Sequence, residues 1–236
     1  MNVVAIMAHQ DDEMRCLGTM LKCRARGDRL HFVTLTDGSG GFVQRPDISR
    51  SEGARIRHME MTALAAAVGA TYHNLGEQDE FLYDTPAVRL AVVDAIRATE
   101  ADLIFTHYSE DYNLDHSTTA SLVRHCAMHS CLPMQQTASP PLKAHPAVFL
   151  IEPHGLFQFP ASHFVDITAY EDAKIALLKQ HHRSQEEALQ MALHAGFERL
   201  CHRPDAYWGE KLGCEYAEPF VPMPARGAVK PYPVLP

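Results

Sequence analysis

Four times in succession the chain runs an apolar stretch of strand length and then a stretch of helical period. "NVVAIMAH" at residues 2–9 precedes a helical pattern over about 12–26 that stops at Gly27. "RLHFVTLTDG" at 29–38 leads through a glycine-rich loop to a long helix, "EGARIRHMEMTALAAAVG", capped by Ser49 or Ser51 and ended by Gly69. "TYHNLG" precedes "TPAVRLAVVDAIRATE", with Pro86 near its start, and "DLIFTHY" precedes "HSTTASLVRHCAMHS". Unbroken apolar strands are buried on both faces, and strands that alternate with helices build a parallel sheet covered on both sides. The pattern predicts an α/β fold: a Rossmann-like, doubly wound, mostly parallel sheet flanked by helices. Further on, "AVFLIEPH" and "HFVDIT" read as strands, and about 169–181 and 185–201 as helices.

With 236 residues, 46% hydrophobic and 21% charged, the chain has the apolar content for a sizeable core. It reads as a single domain over 1–236, with a proline-rich surface loop at 133–146 and an extended proline-rich tail from about 219 to 236. A formal charge of −8 without basic runs argues against a nucleic-acid surface. No apolar stretch approaches the roughly 18 residues of a membrane span, and Met1 leads straight into a strand with no basic leader. The six cysteines lack C-x-x-C spacing, which disfavours a zinc ribbon or thioredoxin-like site. These features predict a cytoplasmic protein with reduced cysteines and a small-molecule substrate; homo-oligomerisation is left open.

Chemistry concentrates at two places. In doubly wound sheets, ligands bind beyond the carboxyl ends of the strands where strand order reverses. "HQDDE", His9 to Glu13, follows the first strand, and "HYSEDYNLDHS", His107 to Ser117, follows the fourth. Hydrolytic metal sites commonly take three protein ligands from histidine and carboxylate and keep one position open. His9 and Asp12, three apart across a strand-to-helix turn, can face one point, and His116 can supply a third ligand. Asp11, between the first two, is placed to take a proton from water. Glu13 reads as a partner of the helix N-terminus or of a ligand, and Asp115 as a group that orients a ligand. Taken singly, each segment also reads as an acid-capped helix start; their joint placement at matching strand ends favours the metal.

These residues carry a family resemblance. "AHQDDE" resembles the A-H-P-D-D-E signature of the PIG-L/LmbE-like zinc-dependent deacetylases, and "NLDH", Asn113 to His116, resembles their H-P-D-H motif. "TDGSGG", "RHMEMTALAAAVGAT", "FVDIT", "KIALLKQHHRSQ" and "YAEPF" follow in the expected order, so the resemblance runs from Val3 to about Phe220. It implies that His9, Asp12 and His116 bind zinc, or another divalent metal such as Fe2+, with Asp11 as general base. The implied reaction is removal of an acyl group, acetyl first, from an N-acetylated amino sugar or its conjugate. A different amide, such as a thiol conjugate or acylated biosynthetic intermediate, is the alternative.

Two positions depart from the pattern. Gln10 replaces a proline. Asn113 replaces the histidine assigned to protonating the leaving amine or stabilising the oxyanion, and an amide donates a hydrogen bond but delivers no proton. Asp11 then handles both proton transfers, or His154 in "EPHG" supplies the acid, or the protein has become an inactive metal-containing binder. Asp37 and Arg57 are candidate substrate contacts, although Asp37 also reads as an ordinary Asp-Gly turn and Arg57 as half of a surface pair with Glu60. His181, His182, Asp79 and Glu80 read as solvated, and Tyr207 and Trp208 as packing or a sugar-binding lip.

Overall fold

A computed structural model describes residues 1–155, 158–223 and 235. Among the described residues seven strands form one sheet, in the order β3-β2-β1-β4-β5-β7-β6. In chain order the elements are β1 (Asn2–Met7), α1 (Leu17–Ala25), β2 (Arg29–Thr36), α2 (Arg50–Ala67), β3 (Thr71–Glu77), α3 (Pro86–Ala98), β4 (Leu103–Thr106), α4 (Leu114–His129), β5 (Ala147–Ile151), β6 (His163–Asp166), α5 (Glu171–His181), α6 (Arg183–Leu193), α7 (Phe197–Leu212) and β7 (Ala217–Pro222). β1 pairs in parallel with β2 on one side and β4 on the other, so strand order reverses between β1 and β4, as the sequence predicts.

The apolar run of β1 is buried throughout because its two faces serve two cores. Val3, Ala5 and Met7 pack with Met14, Leu17, Met61, Leu64, Ile175 and Phe197 on one face. Val4 and Ile6 pack with Val88, Val92, Ile96, Leu122 and Val123 on the other. Ser49 caps α2 by accepting the Glu52 N–H, and Pro86 opens α3 behind the Thr85 cap.

Four expectations are corrected. The first helix begins as a 3-10 turn over Asp12–Arg15 and becomes α-helical only at Leu17. The pattern read as one helix over 185–201 is two: His194 adopts a left-handed conformation and Gly196 starts α7, whose first free N–H, on Phe197, is taken by Glu186. α7 then continues to Leu212, through Pro204. The start of the proline-rich tail is β7, antiparallel between β5 and β6; the rest of the expected tail, 224–234 and 236, lies outside the described residues. Among the described residues no helix is long and apolar enough to cross a membrane.

β7 is tied to the helical layer by a buried lysine. Lys174 of α5 is 0% exposed and donates to Asp205 of α7 at 2.6 Å and Glu218 of β7 at 2.8 Å. Glu218 also accepts the Gly18 and Thr19 N–H groups that open α1. Beside this node a Glu171 carboxyl oxygen lies 3.2 Å from His202 Nδ1, and neither atom has another hydrogen-bond partner. At that distance one partner donates, either the carboxyl or the Nδ1–H tautomer of a neutral imidazole. Burial pushes the Glu171 carboxyl up to about 8, against the pull of Lys174. A carboxyl raised on folding binds more protons folded than unfolded, so its contribution falls as pH rises from about 4.5 to 8. Glu171→Gln should therefore leave stability near pH 5 unchanged and exceed wild type at pH 8, read as a flatter pH dependence of the urea midpoint.

Candidate active site

The ends of β1 and β4 bring the two polar segments together. His107, just past β4, accepts the Ala8 N–H at 3.0 Å and stacks on His116 with ring centroids 4.1 Å apart. Burial pushes His107 down to about 4, so it is a neutral strut between the two strand ends. α4 starts directly above: Asn113 caps it by accepting the Asp115 N–H at 2.8 Å, which sets His116 in the first turn facing β1.

His9 and His116 meet with His9 Nδ1 3.2 Å from His116 Nε2. Each ring is held from behind. His9 Nε2 contacts Asp79 at 3.1 Å and Asp115 at 3.4 Å, and His116 Nδ1 contacts Asp111 at 3.0 Å. Donation from those outer nitrogens to carboxylates leaves lone pairs on the two facing nitrogens. The Asp12 carboxylate stands beside both, with Oδ2 3.4 Å from His9 Nδ1 and Oδ1 3.3 Å from His116 Nε2. Two lone pairs and a carboxylate aimed at one point repel unless a cation sits between them. Two imidazole nitrogens and a carboxylate brought this close together are a donor set of the kind zinc takes. The residues fit a metal.

The protonation behaviour agrees. Burial is the largest single influence on each group and disfavours its charge, yet the neighbours outweigh it. Asp115, Asp12 and Asp79 hold His9 well above its ordinary value; Asp12 and Asp111 leave His116 at about 9; His116 and His107 hold Asp12 well below the usual carboxylate range. The site draws positive charge strongly.

Asp11 sits at the turn with φ of 135°, a conformation costly for any residue with a Cβ. Its N–H is taken by Glu13 at 3.1 Å, and Glu13 in turn bonds the buried His182 at 2.6 Å. Burial first, and the Asp12 charge second, push the Asp11 carboxyl up to about 7, against Arg57 and His182. That range suits a group that takes and returns a proton near neutral pH.

Around this cluster opens a cleft of about 560 Å³ lined by His9, Asp11, Asp12, Arg57, Asn113, His116 and His154, among others. Arg15 donates to His154 Nδ1 at 2.9 Å, so the imidazole presents its proton on Nε2. Burial and Arg15 push His154 down to about 3. It is a neutral hydrogen-bond donor, not a reservoir of an ionisable proton. Asn113 has its carbonyl in the helix cap and its amide 3.5 Å from Glu80.

Asp37 is not among the residues lining the cleft; its carboxylate accepts the Ser39 and Asp79 N–H groups and so helps hold Asp79 behind His9. The surface pair expected of Arg57 and Glu60 does not form. Arg57 is buried, donates to Gly41 O and to Gln185, and lies over the Phe42 ring, while Glu60 takes the N–H and hydroxyl of Ser184. His182 and Asp79, read as solvated, are 0% and 4% exposed. Trp208 packs on Phe164 and donates to Glu152, away from the cleft. Gln10 ties its loop to Thr34, Thr36 and Tyr72, binding that a proline would not provide. Sequence reasoning missed His107, Asp111 and Arg15. The first two lie within the polar segment after β4; Arg15 gave no signal beyond its proximity to the first segment.

The family model described as GlcNAc-PI de-N-acetylase (PIG-L) matches residues 4–127. N,N'-diacetylchitobiose deacetylase from Pyrococcus horikoshii superposes with a TM-score of 0.80 at 25% identity, over 94% of this chain and 83% of that one. The conserved protein TT1542 from Thermus thermophilus gives 0.79 at 26% identity, over 99% and 96%. GalB, the 4-carboxy-2-hydroxymuconate hydratase from Pseudomonas putida KT2440, gives 0.78 at 20% identity, over 98% and 99%, a likeness of fold.

Asp111→Asn leaves the Asp12, His9 and His116 donors in place but weakens the carboxylate behind His116. Zinc affinity, measured by chelator competition, should fall about 10- to 100-fold with the fold intact.

Proposed function

The chain belongs to the PIG-L family of GlcNAc-PI de-N-acetylases, and from that premise we propose that it is a metal-dependent amide hydrolase that removes an acetyl group from an N-acetylated amino sugar or its conjugate. The observation that carries this is the convergence of His9 Nδ1, His116 Nε2 and the Asp12 carboxylate, in contact at 3.2–3.4 Å, with Asp11 beside them in the cleft. Zinc held by these three residues would polarise the amide carbonyl and acidify a water.

The chain's own groups supply the rest. Asp11, with its carboxyl near 7, takes the proton of the attacking water and passes it to the departing nitrogen. His154 Nε2–H donates a hydrogen bond to the oxygen that gains charge, and Arg15 fixes the tautomer that makes this possible. A neutral imidazole in that role leaves Asp11 as the group that carries both proton transfers. Asn113 holds the start of α4, and with it His116. The C–N bond breaks as the nitrogen is protonated, giving acetate and the free amine.

Asp11→Asn should keep metal content near wild type and lower acetate release by about 10²–10⁴-fold, followed with N-acetylglucosamine and simple conjugates alongside elemental analysis. A fully active variant sinks the role of Asp11. Equal metal content in His9→Ala and wild type after zinc is offered sinks the metal centre.

A further inference from the structure

The cleft does not end at His154. Past Arg15, Gly155, Leu193 and Leu200 it continues into a second hollow of about 340 Å³, walled by Arg15, Arg199, Arg203, Glu152 and Pro204 among others. Arg199 and Arg203 stand one turn apart on α7 and share the face that lines it. Both are exposed, and neither is paired among the described residues.

Arg15 joins the two spaces. It is 8% exposed, donates through Nη2 to His154 and through Nη1 to the Leu200 carbonyl at 3.2 Å, and its Nε has no partner. The Leu200 oxygen is available for a physical reason. In an α-helix it would accept the N–H four residues on, but that residue is Pro204, which has none. The proline inside α7 thus frees the acceptor that anchors a buried guanidinium. Arg15 forms no ion pair with a carboxylate among the described residues, and a buried charge left in that state calls for a counter-ion. Glu152, the one acid among the described residues of the wall, spends an oxygen on Trp208 at 2.8 Å, and burial raises its carboxyl despite Arg15 nearby.

We propose that this hollow is an anion-binding subsite and that the substrate carries a carboxylate or phosphate on the part remote from the hydrolysed amide. The proposal rests on the reading of the adjoining cleft as the place of amide hydrolysis. Guanidinium forks match such oxyanions through paired N–H groups. The main cleft, outside this hollow, carries Asp11, Asp12, Asp79 and Glu80, which repel an anion, so the contrast between the two spaces sets the direction in which the substrate lies.

Calorimetric titration of inorganic phosphate into the zinc-loaded protein at low ionic strength tests the subsite, with malonate in parallel to separate phosphate from carboxylate preference. Wild type should bind saturably. Arg199→Ala/Arg203→Ala should bind about tenfold or more weakly, and His116→Ala, which loses a metal ligand, should retain binding. Binding lost in His116→Ala but kept in the arginine double variant overturns the proposal, as does no binding of either anion to wild type. Acetate release from N-acetylglucosamine and its 6-phosphate then separates this idea from the deacetylase reading. A preference for the phosphorylated sugar, carried in KM and abolished in the double variant, supports the subsite. Equal kcat/KM for both sugars in both proteins removes it while leaving deacetylation intact. Saturable, arginine-dependent phosphate binding with acetate released from neither sugar supports the subsite and counts against deacetylation of these sugars.

Discussion

Two imidazole nitrogens face each other across 3.2 Å in this protein, and much of the site follows from keeping them there. Left alone, such a contact relaxes by rotating a ring or taking up a proton. Here rotation is opposed on both sides, by Asp79 and Asp115 behind His9 and by Asp111 behind His116. Those carboxylates are themselves fixed. Asp115 accepts the Glu80 and Leu82 N–H groups, Asp79 accepts from Gly40, and its own N–H is taken by Asp37. The loop after β3 is thus what orients His9. Rigid support of this kind is how a protein holds a ligand set against its own repulsion until a cation offsets it.

Strand order explains why the two halves of the site meet. β1 and β4 are neighbours although about 100 residues separate them, and their ends are pinned by His107 on the Ala8 N–H. The helix starts that follow put Asp12 and His116 within 3.3 Å. The positive φ at Asp11 belongs to the same economy of space. The turn must carry His9 toward the metal position, bring Asp12 back to it, and still leave Asp11 in the cleft, and an ordinary helix start does not do all three. Glu13 and His182 hold that turn from below.

The β1–α4 framework was legible because its signals are local: unbroken apolar runs, a Ser49 cap, Pro86 at a helix start, and acids clustered at strand ends. His9, Asp12 and His116 could be paired from sequence because the doubly wound topology fixes which strand ends adjoin. What stayed hidden depends on contacts between distant segments. Nothing near Asp79 says that its loop folds under His9, and nothing near Arg57 says that its partner is Gln185 and not Glu60, one turn away. The break at His194 was invisible because a left-handed residue there is not glycine, and the apolar period runs on through it. β7 was missed because two prolines in "AEPFVP" read as tail, although the strand pairs on both sides.

Fold likeness extends to a hydratase as well as to a deacetylase, so the sheet and its switch point do not by themselves select a reaction. Selection falls to the proton inventory around the metal position. Asp11 is raised toward neutrality by its own burial and by the adjacent Asp12 charge, while His154 is kept neutral by burial and Arg15. One group therefore exchanges a proton and the other only donates a hydrogen bond. Amide cleavage needs a proton removed from water and one delivered to nitrogen, and a single carboxyl near 7 can perform both in turn. Asn113 fits this division, because with its carbonyl committed to the α4 cap it has no proton-transfer role to lose. On the proposed reading, its substitution for histidine removes an acid from the cleft and leaves the proton transfers to Asp11, whose acidity is shaped by its burial and by the adjacent Asp12 charge.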